Sequence, residues 1–247
     1  LRADAPGGLC PVCLSRVTFG LGGAAEGSPD KSRARATAPA TVPERLRAFV
    51  SAHPQEEVIH RAWPLGTDRT LFTRLFPDPK AAKHEIVLQH WGDAVRVEHE
   101  HRIRPELMMS RDFDYPYSMP AQRGCKAAEK QAGQQGHWDY FDRAQQAHLS
   151  DCDNVADPDV LTRCAREVGL DVNTWLRDFE DTQRDIEIGM DLGLAKAYGV
   201  VRVPILIADG RAQLHGEPWS TFGYRITAER LDAWYADLAR ARQTGRF

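Results

Sequence analysis

The sequence contains no run of 18 or more apolar residues and no large excess of charge of either sign. Without such a run, no segment is predicted to span a bilayer as a helix. The 32 lysines and arginines nearly balance the 35 aspartates and glutamates, so nothing favours a nucleic-acid or membrane-surface partner. With 42% hydrophobic residues, the chain is also too apolar for a disordered protein. Its 247 residues suit one large domain, or one domain that carries an insertion.

Cysteine is scarce as well. The chain has five cysteines, an odd number that excludes a fully paired set of disulfides within one chain. A secreted, disulfide-stapled fold would be shorter and richer in cysteine. The simplest interpretation is a reducing compartment with one special pair, Cys10 and Cys13. Since Leu1–Leu9 is short, Gly-rich and only weakly apolar, it does not match a signal peptide, and a cytoplasmic location is favoured.

The order of the periodic segments predicts an α/β protein with one long helical block. Residues 20–42 are rich in Gly, Ala, Ser, Thr and Pro and are predicted to form a flexible loop. Strands are predicted at 57–65 and 200–207, with a short hairpin partner at 212–215, and residues 105–120 form a turn-rich connection. Apolar spacing and capping residues predict helices that begin near Pro43, Pro79, Ala121, Pro158, Val172, Ile186 and Thr227.

The motif Cys10-Pro11-Val12-Cys13 has two chemical uses and one bland interpretation. In a redox site, the first sulfur at a helix start is stabilised as a thiolate, and the second cysteine resolves the mixed disulfide. In a zinc site, two further ligands are needed, and the sequence has neither a second Cys-x-x-Cys nor a His pair at finger spacing. Two ordinary loop cysteines are the third interpretation.

Val203-Pro204 is the second clue. A proline inside the β-branched run 200–207 would remove a ladder hydrogen bond. A strand that starts at the proline, with a cis peptide bond before it, resolves this conflict. Together with an amino-terminal Cys-x-x-Cys, the Val-Pro pair is a specific signal.

With these motifs, the chain resembles the DsbA-like branch of the thioredoxin superfamily, and most closely its FrnE-type oxidoreductases. The resemblance covers most of residues 43–245. The segments that carry it are Cys10 to Cys13, Trp63 to Leu65, Tyr117 to Ala121, Lys126 to Gln131, Asp157 to Leu161, Gly169 to Asp171 and Tyr198 to Pro204.

The resemblance implies an α/β, thioredoxin-like fold with a large inserted α-helical domain. The thioredoxin-like part would comprise 1–66 and 196–247, and the inserted helical domain 67–195. In this family the first strand precedes the Cys pair, and the first helix follows it directly. The resemblance further implies that Val203-Pro204 is a cis peptide that faces the Cys pair and binds extended substrate backbone.

Three hypotheses about function follow. In the first, the protein is a thiol–disulfide oxidoreductase: Cys10 and Cys13 are catalytic, Val203 and Pro204 bind the substrate, and exchange with a thiol or disulfide substrate needs no cofactor. In the second, it resembles kappa-class glutathione transferases and chromene-carboxylate isomerases, which use glutathione on a small metabolite. In the third, it is a redox-inactive adaptor or a metal-binding protein.

The other cysteines are interpreted first as structural. Cys164 lies on the apolar stripe of its helix and is predicted to be a core thiol. Cys125 is predicted to be a small packed residue, with a lowered pKa near a helix start as the alternative. A disulfide between Cys152 and Cys164 is a further alternative, because only the Asp157-Pro158 turn separates their segments.

Two sets of side chains have the chemistry of metal ligands, and one aromatic set suits packing. The metal alternatives are His148, Asp151 and Cys152, and the pair His99 and His101. The aromatic residues are predicted to pack the helical domain or, alternatively, to line a groove for an apolar or peptide substrate: Trp138, Tyr140 and Phe141.

Overall fold

The computed structural model describes residues 42–68, 70–96, 102–218 and 224–245, together with the backbone of 15–20. The predictions for Leu1–Leu9, for the Cys pair, for the loop within 21–41 and for the pair His99 and His101 lie outside these residues. Within the described ranges, no helix combines the length and the apolar character that crossing a membrane requires.

A four-stranded sheet forms the β layer. Its strands are β1 (Ser15–Gly20), β2 (Glu57–Ala62), β3 (Ile205–Ala208) and β4 (Ala212–His215), in the spatial order β2-β1-β3-β4. β1 is antiparallel to β2 and parallel to β3, and β3 and β4 form an antiparallel hairpin. A small second sheet pairs β5 (Glu217–Pro218) with β6 (Tyr224–Arg225).

β1 corrects one sequence expectation. The resemblance implied a helix directly after the Cys pair, yet β1 begins at Ser15, two residues after Cys13; the strand expected before the pair lies outside the described residues. Its six residues are too few to be distinguished from a loop by pattern alone. The backbone hydrogen bonds to β2 on one side and to β3 on the other make it a central strand. The predicted strand 200–207 is also shorter, since β3 starts only after Pro204.

The elements that the structure describes between β2 and β3 are all helical. They are α2 (Thr70–Leu75), α3 (Pro79–Glu85), a π-helical segment (Ile86–Trp91), α4 (Gly92–Val95), α5 (Pro105–Ser110), α6 (Met119–Leu149), α7 (Pro158–Glu167), α8 (Val172–Glu180) and α9 (Gln183–Ala197); α1 (Val42–Ala52) precedes β2, and α10 (Ala228–Thr244) ends the described chain. The segment 105–120 is therefore not only turns, because α5 and the start of α6 lie in it. α6 is broken at Gly133, whose φ of 63° is non-helical.

Capping residues explain where several helices begin. The side chain of Asp157 accepts a hydrogen bond from the backbone N–H of Asp159, and that of Asp171 from the N–H of Thr174. The Thr227 side chain accepts one from the N–H of Arg230. Such caps satisfy backbone donors that a helix start otherwise leaves free. The predicted starts of α7, α8 and α10 are thereby confirmed.

The sheet carries apolar residues on both faces. Along β3, Leu206 and Ala208 pack with residues of α1 and α10, whereas Ile205 and Ile207 pack with Ala195 of α9. This alternation follows from the two-residue period of a strand. A separate core lies among α6, α7 and α8, and its largest members include Tyr140, Phe141, Leu161 and Trp175. The sheet therefore lies between helices.

Candidate functional site

β1 begins, β2 ends and β3 begins at the same end of the sheet, which is called the Pro204 edge below. Ser15, the first residue of β1, pairs with Ala62, the last residue of β2. Val17 pairs with Leu206, so β3 begins at this same edge, directly after Pro204. Cys13 precedes Ser15 by two positions in the sequence. Because Cys10 and Cys13 lie outside the described residues, their catalytic role stays a prediction.

The segment before β3 is buried and closely backed. The Val203–Pro204 peptide bond is cis, and the side chain of Val203 is buried. The Pro204 carbonyl accepts a hydrogen bond from the Gly216 N–H at 2.9 Å. A Cβ on Gly216 would lie 3.1 Å from Pro204 Cδ and 3.1 Å from Tyr224 Cβ. Glycine at this position thus leaves room for Pro204 and Tyr224, both of which would crowd a side chain there. The substrate-binding role of Val203 and Pro204 stays a prediction.

An exposed cation lies beside this segment. Arg202 precedes Pro204 by two residues, and its Cζ atom lies 5.1 Å from the centre of the Tyr224 ring. The Tyr224 hydroxyl accepts a long hydrogen bond of 3.5 Å from Arg202 Nη1. Val201 next to it is 71% exposed. The rim of this edge therefore combines a guanidinium group with exposed apolar surface.

A buried carboxylate fixes the end of β2. Asp191 of α9, which is 3% exposed, accepts a hydrogen bond from the Ala62 N–H at 2.9 Å and from Arg61 Nη1 at 3.2 Å. The buried ammonium of Lys126 lies 2.9 Å from the same carboxylate. Burial alone would lower the pKa of Lys126, but the charges of Asp191 and Glu129 outweigh it and raise that pKa. Lys126 therefore keeps its charge, and the pair joins α6, α9 and β2.

Glu129 extends this cluster along α6. Its carboxylate accepts hydrogen bonds from Lys126 Nζ, His137 Nδ1 and Gln134 Nε2, each at 2.9 Å. Burial alone would raise the pKa of Glu129, but the hydrogen bond from His137 and the Lys126 charge lower it to about 2. The side-chain oxygen of Gln134 in turn accepts a hydrogen bond from the backbone N–H of His60 at 2.7 Å. The network holds both halves of the broken helix α6 against β2.

His60 has a different environment. Its imidazole is 1% exposed, and neither ring nitrogen has a hydrogen-bond partner within the described part of the chain. The ring packs 4.6 Å from Trp138 and 5.2 Å from His137, measured between ring centres. Burial, reinforced by His137 and Arg47, holds the pKa of His60 well below its usual value. The imidazole is therefore neutral at pH 7.

These polar residues were missing from the sequence predictions. Asp191 lies on the same helix face as buried Ile188 and Ala195, at spacings of three and four residues. A carboxylate at a core position of an amphipathic helix is unusual, and this was the available signal. Its partner could not be read from the pattern, because Lys126 lies on another helix.

The three remaining cysteines are unpaired buried thiols. The alternative disulfide between Cys152 and Cys164 is therefore wrong. Burial raises the pKa of each of these two thiols to about 11. It also raises the pKa of Cys125, so the alternative of a lowered pKa at that position is wrong. The structural interpretation of Cys125 and Cys164 is confirmed.

Within the described residues, the predicted ligand His148 and the predicted aromatic set are packed in the core, and the predicted ligand Asp151 forms an ion pair. His148 is fully buried and hydrogen-bonds through Nε2 to the Tyr115 hydroxyl at 3.2 Å, and burial lowers its pKa to about 3. Asp151 forms an ion pair with Arg143. No group of three or more His, Cys, Asp or Glu side chains placed to hold a metal occurs in the described ranges. The packing prediction is confirmed for the aromatic set, all buried: Trp138, Tyr140 and Phe141.

A cavity of about 410 Å³ lies among the helices. It lies between the start of α3, the loop 114–117 and the loop 154–158. Its wall residue Tyr117 adjoins Gly66, whose carbonyl accepts the N–H of Ser118 at 3.0 Å. Gly66 follows the last residue of β2 by four positions. The size of the cavity is that of pockets that hold small organic molecules.

Comparison with known proteins gives one family match and two similar structures. A family model described as thioredoxin matches residues 84–214, more than half of the chain. A structure from Nitrosomonas europaea, titled a "putative protein disulfide isomerase", is 17% identical with a TM-score of 0.50; the match covers 62% of this chain and 72% of that one. The cytosolic disulfide reductase DsbM from Pseudomonas aeruginosa is 19% identical with a TM-score of 0.49, over 69% and 81% of the two chains. No curated protein matches.

Proposed function

This chain belongs to the thioredoxin family, with an α/β fold in which helices lie between β2 and β3, and we propose that it is a thiol–disulfide oxidoreductase. In this proposal, Cys10 and Cys13 are the redox pair, and Val203 and Pro204 hold the substrate. The substrate is a thiol or disulfide, the location is cytoplasmic, and no cofactor is required.

The observation that carries the proposal is the direction of β1. Because Val17 pairs with Leu206 in parallel, two further steps back along both chains bring Ser15 opposite Pro204. Neighbouring strands lie about 4.8 Å apart. Two residues span at most about 7 Å, so the sequence before Ser15 is short enough to bring Cys13 close to Pro204. The chain therefore enters β1 at the same end of the sheet where Val203 and Pro204 lie, which supports the proposal.

The proposed exchange takes two steps and conserves electrons and protons. The Cys10 thiolate attacks one sulfur of the substrate disulfide, forms a mixed disulfide and expels the other sulfur as a thiolate, which takes up a proton. Cys13 then loses its proton and attacks the Cys10 sulfur, which releases the second substrate thiol. The substrate gains two electrons and two protons, and the Cys10–Cys13 pair loses them. An external thiol returns the pair to its reduced form.

Insulin reduction with dithiothreitol as the external thiol tests the proposal. We expect Cys10→Ser to lower the catalysed rate at least about 100-fold, because no other described thiol is accessible or has a lowered pKa. Cys13→Ala should accumulate a mixed disulfide on Cys10, which mass spectrometry detects. The matched control is Cys164→Ala, which removes a buried thiol and should keep the activity. Full activity of the Cys10→Ser variant would refute the assignment.

The cavity beside Tyr117 favours a second candidate, a glutathione-dependent transferase or isomerase that acts on a small metabolite. Here glutathione would bind at the Pro204 edge, and the metabolite would occupy the cavity. Calorimetric titration with glutathione separates the two candidates. Binding that survives replacement of both Cys10 and Cys13 supports the second candidate, and binding that disappears with them supports the first.

A further inference from the structure

Arg202 is the charged residue closest in sequence to Pro204 on its amino-terminal side, and its side chain is exposed. The Tyr224 ring restrains this side chain, because Arg202 Cζ lies over the ring, 5.1 Å from its centre. This contact orients the guanidinium, and because only Nη1 donates to the Tyr224 hydroxyl, the remaining N–H donors stay available. The structure therefore presents a preoriented cation at the edge where β3 begins.

The Tyr224 ring is itself tied to Pro204. Its Cβ and Pro204 Cδ both lie close to Gly216, because an added Cβ there would be 3.1 Å from each of them, and the Gly216 N–H donates to the Pro204 carbonyl. Arg202 is thus connected to Pro204 along the chain and again through Tyr224 and Gly216. A group bound at Pro204 would find the guanidinium at a defined distance rather than on a freely moving side chain.

Arg202 also lacks a charge partner. Among the residues that the structure describes, no carboxylate lies within ion-pair distance of it. Glu217, on the strand that pairs with the strand of Tyr224, lies 3.5 Å from Arg230 instead. The positive charge of Arg202 is consequently available to a ligand.

We propose that Arg202 binds a carboxylate that the substrate carries next to the exchanged disulfide, and that Tyr224 is the positioning residue for it. The proposal rests on the proposed function, whose substrate class it narrows. Two sources share this chemistry: a small peptide thiol such as glutathione, and an acidic segment of a protein. Arg202 makes the same contact before and during exchange, so its loss weakens binding rather than the chemical step.

The test compares two small disulfides that differ in charge. The oxidation rate of the reduced protein is measured with glutathione disulfide and with neutral 2-hydroxyethyl disulfide, for the wild type and Arg202→Gln. We expect the variant to slow the first reaction about three- to tenfold and to leave the second unchanged. Salt at about 1 M should remove the difference, because it screens exposed charges. Arg202→Lys should be intermediate, since it keeps the charge and loses the fork of donors.

Three further variants test whether the effect comes from Arg202 and from its contact with Tyr224. Arg211→Gln is the matched control, because Arg211 is exposed in the β3–β4 turn, at the opposite end of β3 from Pro204. Tyr224→Leu should reproduce part of the Arg202→Gln effect, and the double variant should show no further loss. Equal slowing of both disulfides by Arg202→Gln, or an equal effect of Arg211→Gln, would overturn the proposal.

Peptide disulfides flanked by Glu or by Gln distinguish the two sources. Selectivity for the Glu peptide that depends on Arg202 identifies an acidic protein segment, and dependence with glutathione disulfide alone identifies a small thiol. Failure of the proposed function has a different signature. In that case the wild type exchanges with neither the charged nor the neutral disulfide.

Discussion

The ion pair between Lys126 and Asp191 offers a quantitative test of what holds α6 and α9 against β2. The two side chains are 5% and 3% exposed and lie 2.9 Å apart. Removing one partner of a buried pair costs about 3–5 kcal/mol, because the other charge stays buried without compensation. In Lys126→Met, Asp191 would still accept from the Ala62 N–H and from Arg61.

We therefore expect the lower end of that range, about 3 kcal/mol of unfolding free energy. For a chain of this size, about 2–4 °C are lost per kcal/mol, so the melting temperature should fall by about 6–12 °C. Thermal unfolding followed by circular dichroism measures this change. The double variant Lys126→Met with Asp191→Asn should recover part of the loss, because the uncompensated charge is gone while an amide oxygen still accepts from Ala62.

Lys130→Met is the matched control on the same helix. Lys130 pairs with Asp178, but its side chain is 49% exposed. Although Asp178 is only 13% exposed, water solvates the half-exposed Lys130 ammonium and screens the pair. This variant should therefore lose about 1 kcal/mol or less, which is no more than about 4 °C. Equal destabilisation by the two substitutions would refute the argument that burial determines the strength of these pairs.

Glycine replacements and pH give further tests. A Cβ on Gly124 would lie 2.7 Å from Cζ of buried Tyr140, so Gly124→Ala should cost about 1–3 kcal/mol in chemical denaturation. Gly92→Ala, with nothing within 4 Å of the new Cβ, should instead stabilise by about 0.5–1 kcal/mol; loss at both positions would contradict the packing argument. The folded-state pKa of His60 is depressed, so its contribution is present above the unfolded pKa of about 6.5 and is lost as the pH falls below it. Replacing His60 with Gln should reduce the difference between urea midpoints at pH 7.5 and 5.5, and an unchanged difference would refute this.

Much of the helical structure could be predicted from the sequence, because helix starts depend on local hydrogen bonds. Asp157, Asp171 and Thr227 each cap a helix through backbone N–H groups two or three residues away. The burial of Cys164 also followed from its place on an apolar stripe. These features need no knowledge of distant parts of the chain.

The strand β1 and the buried charges could not be predicted in the same way. β1 is a strand because β2 and β3, which lie far apart in the sequence, supply hydrogen bonds to both of its edges. The break in α6 at Gly133 lies inside a segment whose composition favours a continuous helix. The partners that make β1 a strand are remote in sequence, so no local pattern records them, whereas the helix break depends on a positive φ that glycine adopts readily.

For the site, the sequence by itself determined the chemistry: a Cys-x-x-Cys pair and a Val-Pro step before a strand. Only the tertiary structure decided what surrounds the Val-Pro step and the strand ends. The Ala62 N–H meets Asp191 across 129 positions, and Arg202 meets Tyr224 across 22. Residue types fix which bonds a side chain is able to make, whereas burial and the pairing of remote segments determine which of these bonds form and how strong they are.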